Sequence, residues 1–286
     1  MQKQKSILFT CITALCVIVV IIITRVCFIN AASDDTPRDY PEIAELGTLS
    51  VATDYSPLAY YVSDDTITGF DYELLQLVGR RANLKIDITP EVSLSKSLDR
   101  LNKRVYDIVA RQLPVTSENK QEYIFTTPLQ LNKQVLIQRT DSSGHAAIRN
   151  QLDLGGCTLH IAQDAPTRLR IENLAHEIGD TIYISEDADY GAEQLIILVA
   201  TGEIDYAVCD EAEAQIIGGA YENIDYKTDI SFTQFMSWTL RKESGALRDS
   251  IDLWLQEIQQ TEEYKELYTK YFGRNKYLLH NRINNL

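Results

Sequence analysis

Residues 113–128, LPVTSENKQEYIFTTP, hold side chains suited to ionic work. Thr116 followed by Glu118, Asn119 and Lys120 is helix-start chemistry: a capping oxygen and a pole of free backbone N–H groups that attract anions. Arg111 ends the strand-like run just before it, where a guanidinium can reach into a cleft; a surface ion pair would use it equally well. Asp210 closes the run IDYAVCD and opens the helix-like EAEAQII, so its carboxylate either caps that helix or faces what lies beyond the strand. The four His, at 145, 160, 176 and 280, show no metal-ligand spacing, and neither a metal nor a cofactor is expected. The pair Glu243–Ser244 falls in the turn after WTLRK and reads as a helix start.

The elements that must position these groups belong to a globular chain. Of 286 residues, 45% are apolar and 24% charged, enough for one large domain or two lobes. The net charge is −14, and Lys3, Lys5 and Arg25 lie in an N-terminal stretch without acids, so the remainder is more acidic still. Such a surface repels phosphate backbones and excludes nucleic acid as a partner class.

Residues 7–23 are apolar apart from two Thr and two Cys and follow Lys3 and Lys5, the pattern of an export signal. As a helix this stretch spans roughly 25 Å, and residues 26–29 extend it beyond Arg25. Residues 7–29 are expected to anchor the chain on the periplasmic side of the inner membrane, with cleavage after Ala31–Ala32 as the alternative. Only Cys157 and Cys209 remain in the exported body, too few for a disulfide scaffold.

Beyond the polar stretch SDDTPRDYP the pattern alternates. TLSVAT, LKIDITP and YDIVARQ read as strands separated by the amphipathic helices FDYELLQLVGRRAN and LSKSLDRLNKRV. CTLHIAQ, TIYIS and IDYAVCD repeat the pattern with helices between them. Two β-α-β-α-β units imply two parallel sheets with right-handed crossovers, joined by the extended KQVLIQRT and FMSWTL. A ligand cleft is expected at the carboxyl ends of both sheets.

Five stretches in order, GTLSVATDYSPLAYY, ITGFDYELLQLV, YDIVARQLPVTSENKQEYIFTTPL, GEIDYAVCDEAEA and TEEYKELYTKYFG, resemble the bacterial extracellular solute-binding proteins of family 3, amino-acid receptors of ABC importers. SPLAYY, GFDYELL and IDYAVCD are most similar to the sensor domain of membrane-bound lytic transglycosylases of the F type. The resemblance implies an α/β, two-lobed type II periplasmic-binding-protein fold. Its expected parts are a signal or anchor (1–32), a linker (33–45), lobe 1 (46–131 and 236–273), lobe 2 (132–235) and a tail (274–286). Cys157 and Cys209 then fall at opposite ends of one sheet and stay free.

The resemblance also assigns site roles. In the family an Arg three residues after a Thr holds the ligand carboxylate, an Asp after the third strand of lobe 2 holds its ammonium, and first-loop aromatics cover it. Asp210 matches the ammonium position, and Tyr55, Leu58 and Tyr60 match the cover. Asp71 is expected as a helix cap. Thr116 matches the family Thr, but Asn119 stands at the Arg position and Pro114, which has no N–H, replaces a Ser or Thr. Asp164, in QDAPTR, replaces a small anion-binding turn and adds negative charge. An Asn cannot stand in for a guanidinium in a buried ion pair, so Arg111, and with it Gln112, is the candidate replacement.

The expected function is therefore a non-catalytic binding protein that closes on a small amino-acid-like or peptide ligand, for an ABC importer permease or for signalling. A cationic ligand, an amide or a larger cell-wall peptide suits the altered site better than an ordinary α-amino acid. Alternatives are a regulator of murein turnover partnered with a cell-wall enzyme, the catalytic domain being expected to be absent, and a small-molecule lyase, for which nothing in the sequence marks Asp210 or Asp164 as acid or base.

Overall fold

The computed structural model describes residues 38–63 and 65–284; the anchor expected at 7–29 and the signal expected at 1–32 lie outside the described residues. Among the described residues no helix is long and apolar enough to cross a membrane.

Both repeats fold as the alternation implies. In the first, β1 (Thr48–Thr53) lies between and parallel to β4 (Lys85–Pro90) and β5 (Ile108–Pro114). The second places β9 (Thr158–Ala162) between and parallel to β10 (Tyr183–Asp187) and β11 (Tyr206–Asp210). The two extended segments complete the sheets antiparallel: β13 (Gln234–Arg241) joins β5 in the first, and β8 (Gln134–Arg139) joins β11 in the second. The sheet orders are β4-β1-β5-β13-β6, with β7 (Gln130–Asn132) also pairing antiparallel to β13, and β10-β9-β11-β8-β12, where β6 is Tyr123–Phe125 and β12 is Ile224–Asp229. This is a two-lobed α/β fold, and the chain crosses between its lobes at Lys133 and at residues 230–233.

Helices cover both faces of each sheet, which is why the strands read as nearly continuous apolar runs. In β8, Val135 and Ile137 pack into one cluster with Leu195 and Val199, while Leu136 points the other way onto Leu159, Ile161 and Ile171. Lobe 1 is built around Trp238, Phe70, Leu74, Leu247 and Trp254, all buried.

Two short elements escaped the periodicity. Residues 40–45, expected as linker, belong to helix α1 (Tyr40–Leu46), because Asp39 and Glu42 form a capping box around Pro41 at the first turn. The buried Ile43 fastens α1 to lobe 1, and Asp39 also accepts from the N–H groups of Ala246 and Leu247. A hairpin, β2 (Tyr61–Ser63) with β3 (Thr66–Thr68), follows the first loop. It ends at Gly69, whose φ of 133° brings the chain so close to Ala59 that a Cβ would lie 2.3 Å from its carbonyl oxygen. Helix α2 (Phe70–Ala82) therefore starts against that loop, with the N–H of Tyr72 donating to the Ala59 carbonyl at 3.0 Å. The N-cap of α2 is Gly69 rather than Asp71. The buried Asp71 instead accepts from the Trp238 indole N–H at 2.8 Å, an acid spent on the core.

One further buried charge ties lobe 1 together. Asp107, fully buried, accepts from Arg38 at 2.6 and 2.9 Å and from the backbone N–H of Ser50 at 2.9 Å. Arg241, also buried, lies 3.7 Å from it and donates to the Leu101 carbonyl at 3.1 Å.

Candidate functional site

A cavity of about 400 Å³ lies between the lobes at the carboxyl ends of their parallel strands. Lobe 1 supplies Asp54 just after β1, Ser56 and Leu58 from the first loop, and Arg111, Leu113 and Pro114 from the end of β5. From lobe 2 come Gln134 at the start of β8, Ala162 at the end of β9 with residues 163–167 after it, and Asp210 at the end of β11. Glu213 follows, one turn into helix α7 (Glu211–Ile217).

On this lining carboxylates outnumber cations seven to two, the cations being Lys96 and Arg111. Arg111 is committed: it pairs with Asp54 at 2.7 Å and donates to the Val92 carbonyl at 2.8 Å. Burial pushes Asp210 up to about 7, against the pull of Arg111 and with the help of Asp54. Glu213 rises further, to about 8, first through burial and then through the negative charges of Asp210 and Asp54, with Arg111 and a Ser56 hydrogen bond pulling back. Two carboxyls sharing one environment titrate as a pair, so near neutrality they hold a proton between them.

Of the residues singled out from the sequence, Leu58, Asp71, Arg111, Pro114, Asp164 and Asp210 line the cavity. Asp164, in the left-handed region at φ 59°, accepts from the Ser95 hydroxyl at 2.6 Å, a contact between the lobes. Tyr55, Tyr60, Thr116 and Asn119 are not on the lining. Tyr55 is 46% exposed with its ring 5.8 Å from that of Tyr61, and Tyr60 packs edge-on against Tyr72. Asn119 is absorbed by its own turn: its backbone N–H donates to Thr116 Oγ1 at 3.2 Å and its Nδ2 to the Pro114 carbonyl at 3.0 Å. Gln112 belongs to β5, but its side chain lies outside the described residues. Asp210 does sit at the N-cap of α7, yet its side chain makes no capping hydrogen bond. Cys157 and Cys209 are both free.

Sequence reasoning missed Asp54, Glu213 and Gln134. The spacing Asp210-x-x-Glu213 was the available sign for one of them, since residues three apart share a helix face. Asp54 and Gln134 carry no comparable local mark.

A two-lobed α/β molecule with a polar cavity where both sheets end has the architecture of a ligand-closing binding protein. Residues 48–274 match the family model of bacterial extracellular solute-binding proteins, family 3, and the chain belongs to that family. It is 25% identical over 244 residues to a membrane-bound lytic murein transglycosylase F of Photobacterium profundum, a match covering 84% of this chain and 46% of that protein. The chain thus spans about half the length of the transglycosylases it matches. It is also 25% identical over 249 residues to the L-cystine-binding protein TcyA of Bacillus subtilis (strain 168), covering 84% of this chain and 88% of TcyA. The fold is similar to that of a P235GK mutant of ArgBP from T. maritima, with a TM-score of 0.70 at 21% identity, covering 82% of this chain and 99% of the other.

Proposed function

We propose that this chain is a non-catalytic receptor on the outer side of the inner membrane that closes its two lobes on a small amino-acid-like or peptide solute. It then passes the solute to an ABC importer or reports it to a partner. The observation that carries this reading is the cavity itself: both lobes line it, so a ligand bridging them favours the closed population. The name of TcyA supports solute capture as the outcome. Thermal melts against a panel of amino acids, dipeptides and muropeptides test it. A ligand at 100 times its dissociation constant stabilises by about 2.7 kcal/mol. A shift confined to one class of compound, and abolished in Asp210→Ala, is the expected result; no shift across the panel would refute capture.

A second reading, a non-catalytic regulator of murein turnover, is favoured by the transglycosylase matches, which cover 66–84% of this chain. In that case muropeptides, rather than free amino acids, raise the melting temperature.

A further inference from the structure

We infer that the cleft receives the cationic end of an organic amine or guanidine and supplies no counter-charge for a ligand carboxylate. The decarboxylated form of a basic amino acid should then bind at least as tightly as the amino acid itself. This rests on the receptor reading above and narrows it to a ligand class.

The negative half is built. Asp210 and Glu213 enter from β11 and α7, Asp54 faces them from lobe 1, and Arg111 offsets only part of the charge because it is paired with Asp54. Of the other titratable groups on the lining, the buried Cys209 thiol is pushed well above its ordinary range by burial and stays neutral, and Asp71 accepts from the Trp238 indole N–H. A cation lowered among these groups replaces the proton the pair holds, and that proton leaves to solvent. A second, independent feature points to a ligand. The Gln134 side chain is only 5% exposed, lines the same cavity beside Asp210, and has no hydrogen-bond partner among the described residues. Its oxygen and amide hydrogens suit an N–H donor and a polar acceptor on one ligand.

The positive half is missing. Pro114 brings no N–H, and the Asn119 amide and backbone N–H are consumed at Pro114 and Thr116. Lys96 is exposed at the rim, and Asp164 and Asp187 bring further negative charge to the lobe 2 wall. Leu58, Leu113 and Met236 complete the lining with apolar surface suited to a methylene chain.

Isothermal titration calorimetry on the intact protein at pH 7, with arginine, agmatine, 1,4-diaminobutane, glutamine and cystine as probes, decides the matter. Agmatine or the diamine should bind as tightly as arginine or tighter, with glutamine and cystine at least tenfold weaker. Runs in two buffers of different ionisation enthalpy should show about one proton released per ligand. Glu213→Gln, checked for folding by circular dichroism, should weaken agmatine at least tenfold and reduce that proton release. If arginine binds tenfold tighter than agmatine, or glutamine or cystine binds best, the carboxylate is read; the receptor stands and this inference falls. If none of the probes binds but a dipeptide or muropeptide does, the receptor again stands and the cation class is wrong. If no solute of any class binds, both fall together.

Discussion

Replacing Glu213 by Gln should stabilise the unliganded protein at pH 8 and leave it nearly unchanged at pH 5. Glu213 is pushed up to about 8 and Asp210 to about 7, both above the 4.5 and 3.8 of free Glu and Asp. The sign follows from which state keeps its proton. Between roughly pH 4.5 and 8 the unfolded chain has released it and the folded pair has not, so stability falls as pH rises through this window. Each such group loses about 1.4 kcal/mol per pH unit at most. For Glu213 the full shift corresponds to about 5 kcal/mol; both carboxyls retain some solvent contact, and about 2–3 kcal/mol is the discounted expectation. A domain of this size changes its melting temperature by about 2–4 °C per kcal/mol, so the variant should melt roughly 5–10 °C above the parent at pH 8. Calorimetric melts of both proteins at pH 5, 6, 7 and 8 measure the difference directly, and other titrating groups cancel from it. A difference that stays flat from pH 5 to 8 would mean the pair is ionised in the free protein. The account of a proton held in the cleft would then be wrong.

Three further substitutions probe the frame around the site. Gly69→Ala places a Cβ 2.3 Å from the Ala59 carbonyl oxygen at a φ of 133°, and should lower the melting temperature by several degrees through a loss of about 2–3 kcal/mol; an unchanged melt would show that the first loop is free to move away. Asp107→Ala strands Arg38 and the buried Arg241, an expected loss of about 3–5 kcal/mol, and chemical denaturation should show a lower midpoint with the slope preserved. Asp164→Ala removes the Ser95 contact between the lobes, a hydrogen bond worth about 1 kcal/mol. Its effect should appear as a larger radius of gyration in small-angle scattering with little change in melting temperature, and an identical scattering curve would show that this contact does not hold the lobes together.

How much of this was legible in the sequence depends on the distance over which each feature is decided. The two crossover units were readable because strand and helix periodicities are local, and the cleft followed from where parallel strands must end. Helix α1 and the β2–β3 hairpin were missed because seven and three residues are too few to show a period, although the capping box at Asp39 and Glu42 was present to be read. The site divides in the same way. That Asn119 and Pro114 stand where the resembled family carries anion-binding residues is a comparison of residue types, and it could be made on the chain alone. That the Asn119 amide then turns onto the Pro114 carbonyl was not. Nor does any local pattern set Asp54 and Arg111 of one lobe against Asp210 and Glu213 of the other, for that requires both lobes to be folded and in contact. The loss of anion-binding features and the gathering of acids are decided at different levels, one by residue type and one by tertiary contact. Their agreement on a cationic ligand is therefore a stronger argument than either alone.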